Sequence, residues 1–206
     1  MRDALPAPST ALTMLQDAQQ GDHDAFADIL AALEPQIRRF VRRLTRSSDS
    51  VDDIVQDTFI ALYRNLDRIN PASQLRPYAY GIARRRCYDD MRRKARQKYV
   101  TFEDEPDFDA PYFSPIIADD AAAPDETAHW LLLNLEVQRA IDRLPEVQRQ
   151  VLILLCEQDL TYEEIAEIMG TNVGTIKSRV HYAKRALRGL MRPEILDAIQ
   201  QELNDD

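Results

Sequence analysis

The chain has 206 residues, of which 45% are hydrophobic and 30% are charged, and its formal net charge is −9. This length provides for one large or two small hydrophobic cores, and the high charge argues against a membrane protein. The longest apolar run, Val151 to Cys156, is far shorter than the roughly 20 residues of a membrane-spanning helix. We therefore expect no membrane insertion and, because no secretory signal is found, a cytoplasmic protein.

The sequence shows none of the residue patterns that metal, redox or cofactor chemistry requires. The two cysteines, Cys87 and Cys156, have no second cysteine at the spacing of a zinc ribbon or a redox pair, so both are predicted to be small packing residues. The chain has only five glycines, and none of them forms a Gly-rich phosphate loop. We expect no metal, no cofactor and no catalytic residue.

Apolar residues recur at helical spacing along most of the chain, and no alternating strand pattern is found, which predicts an all-α fold. Residues 10–98 are predicted to form the first of two small helical domains. Its first helix covers residues 10–20 and stops at Gly21, and Asp22 caps the second helix. Pro35 is expected to interrupt or restart that second helix.

Two more helices and two basic clusters are predicted in this domain. Ser50 and Asp53 form the pattern of a capping box for a third helix, and the segment INPASQ ends it. A long helix then runs from Leu75 to about Lys98. The basic clusters are Arg38, Arg39, Arg42, Arg43 and Arg46, and Arg84, Arg85, Arg86, Arg92, Arg93, Lys94, Arg96 and Lys98.

Residues 99–127 are predicted to form a flexible, acidic linker between the two domains. The stretch 99–138 contains ten acidic and no basic side chains, and four prolines stand between residues 101 and 127. Such a composition does not bury enough apolar surface to fold by itself. The negative charge of the chain is thus concentrated in and next to the linker. The basic clusters of the flanking domains can therefore bind a polyanion.

Residues 128–192 are predicted to form the second domain. One helix covers Trp130–Leu144, and Pro145 stands in the first turn of the next helix. A third basic cluster lies near the end of this domain: Lys177, Arg179, Lys184, Arg185, Arg188 and Arg192. The short tail, residues 193–206, has a helical pattern of its own.

A short helix, a tight turn and a longer helix follow within this second domain. Thr161 and Glu164 form a capping box for the short helix, Gly170 ends it, and Asn172 caps the longer one. Apolar residues of the longer helix repeat at intervals of three and four: Val173, Ile176, Val180, Ala183, Leu187 and Leu190. These parts predict a helix-turn-helix.

The opposite face of the longer helix is polar and basic, with no acid between Thr175 and Arg192. In helix-turn-helix proteins this helix enters the major groove, and free N–H groups at its start donate to phosphate. The residues predicted to contact DNA are Gly174, Thr175, Lys177, Ser178, Arg179, His181, Tyr182 and Arg185. The alternatives are a plain packing pair of helices and, for each basic cluster, a solvated helix face.

Two stretches resemble the bacterial sigma-70 family, particularly its extracytoplasmic-function (ECF) group. The stretch RAIDRLPEVQRQVLILLCEQDLTYEEIAEIMGTNVGTIKSRVHYAKRALRGL is similar to the fourth conserved region of that family. The stretch DSVDDIVQDTFIALYRNLDRI resembles the part of region two that docks on the polymerase clamp, and Leu75 to Arg96 resembles the promoter-melting segment. Both motifs occur in the order typical of the family.

The resemblance implies an all-helical sigma factor rather than an enzyme. Such a factor binds core RNA polymerase through the clamp helices of the largest subunit and through the flap. It directs the polymerase to promoter DNA, where the second domain recognises the minus-thirty-five element and the first recognises and melts the minus-ten element. An anti-sigma factor is a further partner expected from the family.

The resemblance also implies two more sets of site residues. Aromatic and Arg side chains suit melted DNA, since bases stack on rings while arginines hold the backbone. Tyr78 stands where many relatives have Trp, and Arg85 where many have Asn. The core-polymerase set is Asp52, Asp53, Ile54, Gln56, Asp57 and Phe59, and the minus-ten set is Asn70, Gln74, Tyr78, Tyr80, Arg84, Arg85 and Arg86. The alternatives are that the acids only begin a solvated helix and that Tyr78 or Tyr80 is a core residue.

Two competing functions and one regulatory hypothesis accompany this interpretation. A stand-alone helix-turn-helix regulator is the main alternative, and it would bind duplex DNA unaided as a two-fold dimer. An enzyme with a magnesium site on two acidic groups would need a longer chain for its cavity; those groups are Asp52, Asp53 and Asp57, and Asp89 and Asp90. We hypothesise that linker acids shield the basic faces of the free protein: Asp104, Asp107, Asp119 and Asp120.

Overall fold

The computed structural model describes residues 8–100, 135–158 and 160–191, and every regular element in that part of the chain is a helix. The N-terminal group comprises α1 (Pro8–Gln19), α2 (His23–Thr45), α3 (Val51–Arg64) and α4 (Leu75–Val100). The C-terminal group comprises α5 (135–142), α6 (Glu146–Leu152), α7 (Tyr162–Met169) and α8 (Val173–Leu190). The predicted all-α fold is confirmed. None of the described helices combines the length and the apolar character of a membrane span.

Two predicted segments lie mainly outside the described residues. Of the linker predicted over 99–127, only residues 99 and 100 are described, and they belong to α4. The predicted start of the helix at Trp130 and the tail 193–206 are also outside the described part. The hypothesis that linker acids shield the basic faces therefore stays a prediction.

The turn between α1 and α2 forms as predicted. Gly21 adopts a positive φ of 95°, which only glycine adopts without strain. Asp22 then caps α2, because its side chain accepts hydrogen bonds from the backbone N–H groups of Asp24 and Ala25 at 2.9 and 3.2 Å.

The predicted interruption of α2 at Pro35 is wrong. The helix is continuous from His23 to Thr45 with Pro35 inside it. An internal proline costs about 3 kcal/mol through the lost hydrogen bond and the ring clash. Residues on both sides of it are completely buried: Ile29, Leu33, Ile37 and Phe40. Each such side chain contributes about 1.5–3 kcal/mol, so their burial outweighs the cost.

The capping box predicted at Ser50 and Asp53 is also wrong. Ser50 precedes α3, but its side chain makes no cap hydrogen bond. Its hydroxyl instead donates to the buried carboxylate of Asp90 on α4, at 2.8 Å. The Ser50 hydroxyl thus binds Asp90 of another helix instead of capping α3. Two short 3₁₀ turns, Leu66–Arg68 and Ala72–Gln74, then lead into α4.

In the C-terminal group, the helix-turn-helix forms as predicted. Thr161 and Glu164 form a reciprocal capping box, Gly170 ends α7 with a φ of 61°, and Asn172 caps α8. Ahead of them, Pro145 is the N-cap of α6 and stands just before its first turn. After Leu152 the helix continues as a π-helix over Ile153–Glu157.

The two groups pack directly against each other and share one hydrophobic core, which the sequence pattern did not predict. Helix α4 packs on α7, and α2 packs on the π-helical turn. The cysteines behave differently in this arrangement. Cys87 is completely buried, as predicted, whereas Cys156 in the π-helix is exposed, so the prediction of a packing role for it is wrong.

Candidate nucleic-acid interface

The exposed face of α8 lies opposite its buried stripe. Ile176, Val180 and Ala183 are buried, and Val173, Leu187 and Leu190 pack against the same core. The side chains predicted to contact DNA are on the other side of the helix. Gly174, Lys177, Ser178, His181, Tyr182 and Arg185 are exposed, whereas Thr175 and Arg179 are half-buried. Tyr182 is 57% exposed, unusual for so large an apolar ring.

The beginning of α8 is held by a short network. The side-chain oxygen of Asn172 accepts the backbone N–H of Thr175 at 2.8 Å and the hydroxyl of Thr175 at 3.0 Å. A Cβ at Gly174 would lie 3.3 Å from that same oxygen, so glycine keeps the cap uncrowded. The cap therefore holds the start of α8 in the geometry in which backbone N–H groups can donate to a phosphate.

A second candidate surface is the α4 stripe, which we define as Arg76, Tyr80, Arg84 and Tyr88. These residues are four apart and lie one above the other on the helix. The guanidinium of Arg76 lies 5.9 Å from the ring centre of Tyr80, and that of Arg84 lies 5.1 Å from the ring of Tyr88. The stripe thus alternates cations with aromatic rings, a combination suited to single-stranded DNA.

The structure places the predicted minus-ten residues on different surfaces. Tyr80 and Arg84 belong to the α4 stripe, and Tyr78 is half-buried against the core. Arg85 and Arg86 are exposed on a neighbouring face of α4. Asn70 is exposed and lies between the two 3₁₀ turns that precede α4, and Gln74 is half-buried at the end of the second turn.

Tyr80 belongs to the α4 stripe but is a buried core residue. Its ring packs edge-to-face on Phe40 of α2, with 5.2 Å between the ring centres, and the side chain is completely buried. Burial raises the pKa of its hydroxyl to about 12, so the group stays a hydrogen-bond donor at neutral pH. Sequence reasoning missed Arg76 and Tyr88, although their four-residue spacing from Tyr80 and Arg84 was a usable signal.

The predicted polymerase-binding residues all belong to α3 but do not share one face of it. Asp52, Asp53, Gln56 and Asp57 are exposed, Ile54 is buried and Phe59 is half-buried. Asp52 forms an ion pair with Arg38 of α2, whose second partner, Glu34, lies at 2.9 Å. The hydrogen bond to Asp52, which has the larger effect, and the hydrogen bond to Glu34 raise the pKa of the Arg38 guanidinium. The acidic face is therefore partly neutralised from within the chain.

An apolar groove adjoins this acidic face. It lies between α2 and α3, has a volume of about 950 Å³ and includes Asp52, Gln56 and Phe59 in its lining. Ile60 and Tyr63, 42% and 46% exposed, lie along it. Sequence reasoning did not find this groove, although an isoleucine and a tyrosine outside the buried face of α3 were the available signal.

Within residues 8–100, 135–158 and 160–191, no group of three or more His, Cys, Asp or Glu side chains has the geometry of a metal site. The paired aspartates considered for magnesium are engaged differently. Asp90 binds Ser50, Arg93 and Lys94, and Asp57 lies 4.0 Å from Arg86.

Comparison with known proteins gives concordant matches. The family described as Sigma-70 region 2 matches residues 29–97, and Sigma-70, region 4 matches residues 134–187. The ECF RNA polymerase sigma factor SigW of Bacillus subtilis (strain 168) is 31% identical over 178 residues, which are 86% of this chain and 95% of SigW. The ECF RNA polymerase sigma factor EcfG of Rhodopseudomonas palustris (strain TIE-1) is 36% identical over 164 residues, 80% of this chain and 83% of EcfG.

The fold has a solved counterpart as well. The sigma factor RpoE of Bartonella quintana, in complex with the anti-sigma factor NepR, is similar with a TM-score of 0.58 and 28% sequence identity. That match covers 80% of this chain and 95% of the solved one.

Proposed function

The chain belongs to the ECF RNA polymerase sigma factors, and on that premise we propose how its surfaces divide the work of promoter recognition. It is a promoter-directing subunit of RNA polymerase. This assignment of tasks is supported by one observation: three surfaces of different chemistry lie on three different helices. These are the basic face of α8, the α4 stripe and the acidic face of α3 with its groove.

The face of α8 binds the minus-thirty-five element as duplex DNA. Its exposed Lys177 and Arg185 provide cationic donors for guanine edges or phosphate, and Ser178 provides a hydroxyl for either. The hydroxyl of Ser178 donates to the carbonyl of Gly174 at 3.1 Å in the free chain, which leaves its lone pairs available. Each good bidentate contact to a base is worth about 1–3 kcal/mol of discrimination.

The α4 stripe and the exposed Arg85 and Arg86 bind the minus-ten element once it is single-stranded. Stacking on a ring contributes roughly 1–3 kcal/mol per base, and the arginines hold the phosphates. The segment from Asn70 to Gln74 leads directly into the same helix, where it can receive a flipped base. The chain thus helps to melt the DNA by binding its open form.

The acidic face of α3 and the adjoining groove bind the clamp helices of core RNA polymerase. The exposed carboxylates of Asp53 and Asp57 steer and pair with basic side chains of the partner, and the groove receives apolar ones. Phe59 and Ile60 connect the two parts of this surface. The second contact, with the polymerase flap, we assign to the C-terminal group by family membership.

The remaining partners and properties follow from this role. We propose that the chain is not itself a catalyst, since nucleotide addition belongs to the polymerase, and that it acts in the cytoplasm with that enzyme. An anti-sigma factor is an expected partner, because the similar RpoE of Bartonella quintana was solved with one. A stand-alone regulator is not favoured, because neither region match nor the relatives describe one.

Run-off transcription on a promoter library tests this division of labour. Core RNA polymerase is assayed with and without the protein, and we expect new start sites that require it. Asp53→Arg should abolish them by weakening polymerase binding, and Arg185→Ala should abolish them by weakening promoter binding. Lys184→Ala, which removes one charge from α8 outside the predicted DNA-contact set, is the matched control and should retain most activity. Unchanged transcription with Arg185→Ala would contradict the role of α8.

A further inference from the structure

The segment from Asn70 to Gln74, which we call the minus-ten segment, lies between two buried residues. Ile69 before it and Leu75 after it are buried, whereas Asn70 and Ser73 within it are exposed. An exposed segment of this kind can meet DNA. The positions of its donors and acceptors depend on what holds the main chain at its ends.

Helix α1 supports this segment from the side. It packs on the 3₁₀ turn that precedes the minus-ten segment and on the 3₁₀ turn within it. The inward side chains of α1, Leu15 and Ala18, are buried in the same core as Leu66 and Ile69. Such apolar burial holds α1 in place, but it is non-directional and does not orient an individual peptide group. Orientation needs a hydrogen bond.

Gln19, the last residue of α1, donates two such bonds to the main chain next to the minus-ten segment. Its Nε2 lies 2.9 Å from the main-chain oxygen of Leu66 and 3.0 Å from that of Ile69. A side-chain amide has two N–H donors, and both are used here. The bonded residues are 47 and 50 positions apart, so a helix distant in sequence holds this turn.

The bond to Ile69 acts directly on the minus-ten segment. The oxygen of Leu66 also accepts the backbone N–H of Ile69 at 3.1 Å, as part of the 3₁₀ turn. The oxygen of Ile69 belongs to the peptide group whose nitrogen is that of Asn70. Because a peptide group is planar, the direction of this carbonyl fixes the plane from which Asn70 starts. Gln19 thus orients the first residue of the minus-ten segment.

We propose that Gln19 is a positioning residue for minus-ten recognition: by holding the carbonyls of Leu66 and Ile69, it fixes the orientation of the minus-ten segment and sets how strictly that segment discriminates between bases. Gln19 acts through the segment and does not itself contact the base. A flipped base is read by hydrogen bonds to its edge, and these select one base only where their partners are held in fixed positions. The proposal rests on the minus-ten role assigned above to Asn70 and Gln74.

Two substitutions remove the donors of Gln19 and leave α1 in place. Gln19→Met keeps a side chain of similar length and helix propensity but has no N–H group. Gln19→Ala also lacks the donors and keeps the test valid if Gln19→Met does not fold. Gln16→Met, at an exposed position of the same helix, is the matched control.

Base discrimination is measured by run-off transcription with core polymerase. The template is a promoter used by the parent protein, randomised separately at each minus-ten and minus-thirty-five position. With Gln19→Met, the preference for the best minus-ten base that the segment receives should fall by about fivefold, the effect of one ordinary hydrogen bond. Minus-thirty-five preferences, and the whole profile of Gln16→Met, should not change. A smaller amount of folded protein would lower all transcripts equally and would leave these ratios unchanged.

The combined variant Asn70→Ala with Gln74→Ala tests whether Gln19 acts through the segment. It should lose discrimination at the same promoter position as Gln19→Met, and adding Gln19→Met to it should cause no further loss. An unchanged profile in a folded Gln19 variant, a loss spread over both promoter elements, or a loss that adds to that of the combined variant would overturn the proposal. Failure of the proposed function is distinguishable: the combined variant would then itself change no minus-ten preference, which would remove the basis of the proposal.

Discussion

Replacing Asp90 with asparagine should weaken the junction between α3 and α4. The carboxylate is 5% exposed and binds three donors: the hydroxyl of Ser50 at 2.8 Å, Arg93 at 2.7 Å and Lys94 at 3.1 Å. Asparagine has the same shape but no charge, and its amide group must face a donor. Hydrogen bonds to a charged group contribute about 1.5–3 kcal/mol each.

The expected loss is smaller than the sum of these bonds. Arg93 is 67% exposed and Lys94 is 39% exposed, so water screens both ion pairs. We therefore expect the free energy of unfolding to fall by about 2 kcal/mol at neutral pH. With a urea m-value of roughly 2 kcal/mol per M, the midpoint should shift by about 1 M. Asp89→Asn, on the exposed neighbour, should leave the midpoint unchanged.

The same variant makes a pH prediction. Burial alone would raise the pKa of Asp90, but the hydrogen bonds from Ser50, Lys94 and Arg93 outweigh burial and lower it. A carboxyl whose pKa is lowered by folding stabilises the protein above its unfolded pKa, about 3.9, and loses that contribution as pH falls through the folded pKa. The difference between parent and Asp90→Asn should therefore shrink below about pH 4. A difference that stays constant, or no shift at neutral pH, would refute the reasoning.

Three further predictions concern other parts of the chain. Cys156 should react rapidly with a disulfide reagent while Cys87 reacts only on unfolding, because burial raises the pKa of Cys87 to about 12. Gly170→Ala should lower the free energy of unfolding by about 1 kcal/mol, as seen in urea titration, because alanine is strained at a φ of 61°. Ile60→Glu should weaken binding to core polymerase at least about tenfold in a fluorescence titration, because it places a charge in the apolar groove.

Each of these has a matched control or a contradicting result. A rapid thiol that remains in Cys156→Ser would contradict the burial of Cys87. Gly189→Ala, in the helical backbone of α8, is the control for Gly170→Ala and should raise the free energy of unfolding by about 0.5–1 kcal/mol. If both substitutions changed the free energy of unfolding in the same direction, the left-handed cap at Gly170 would be contradicted. Leu12→Glu, at an equally exposed apolar position on α1, should leave polymerase binding unchanged.

Local signals in the sequence predicted local structure well. The cap at Thr161, the stop at Gly170 and the cap at Asn172 all formed as expected, because each depends on residues within four positions of it. The exposed face of α8 followed from the same helical period. Fold class, the helix-turn-helix and the positions of the predicted DNA-contact side chains on it were therefore accessible without a structure.

Features that depend on distant partners were not accessible in this way. The helix through Pro35 and the hydroxyl of Ser50 were decided by burial and by Asp90, which lies on another helix. The packing of the C-terminal group on α4 depends on contacts such as Tyr80 with Gln158, which are 78 positions apart. Helical periodicity shows which side chains share a face but not what packs on that face.

Footprinting on a promoter found in the transcription assay tests the central claim most directly. A sigma factor that acts only as a subunit of RNA polymerase should leave the duplex unprotected by itself. With core polymerase it should protect two separate segments, the minus-thirty-five and minus-ten elements, with the second becoming reactive to single-strand probes. Protection of one palindromic duplex site by the protein alone, unchanged by polymerase, would contradict the account and indicate a stand-alone regulator.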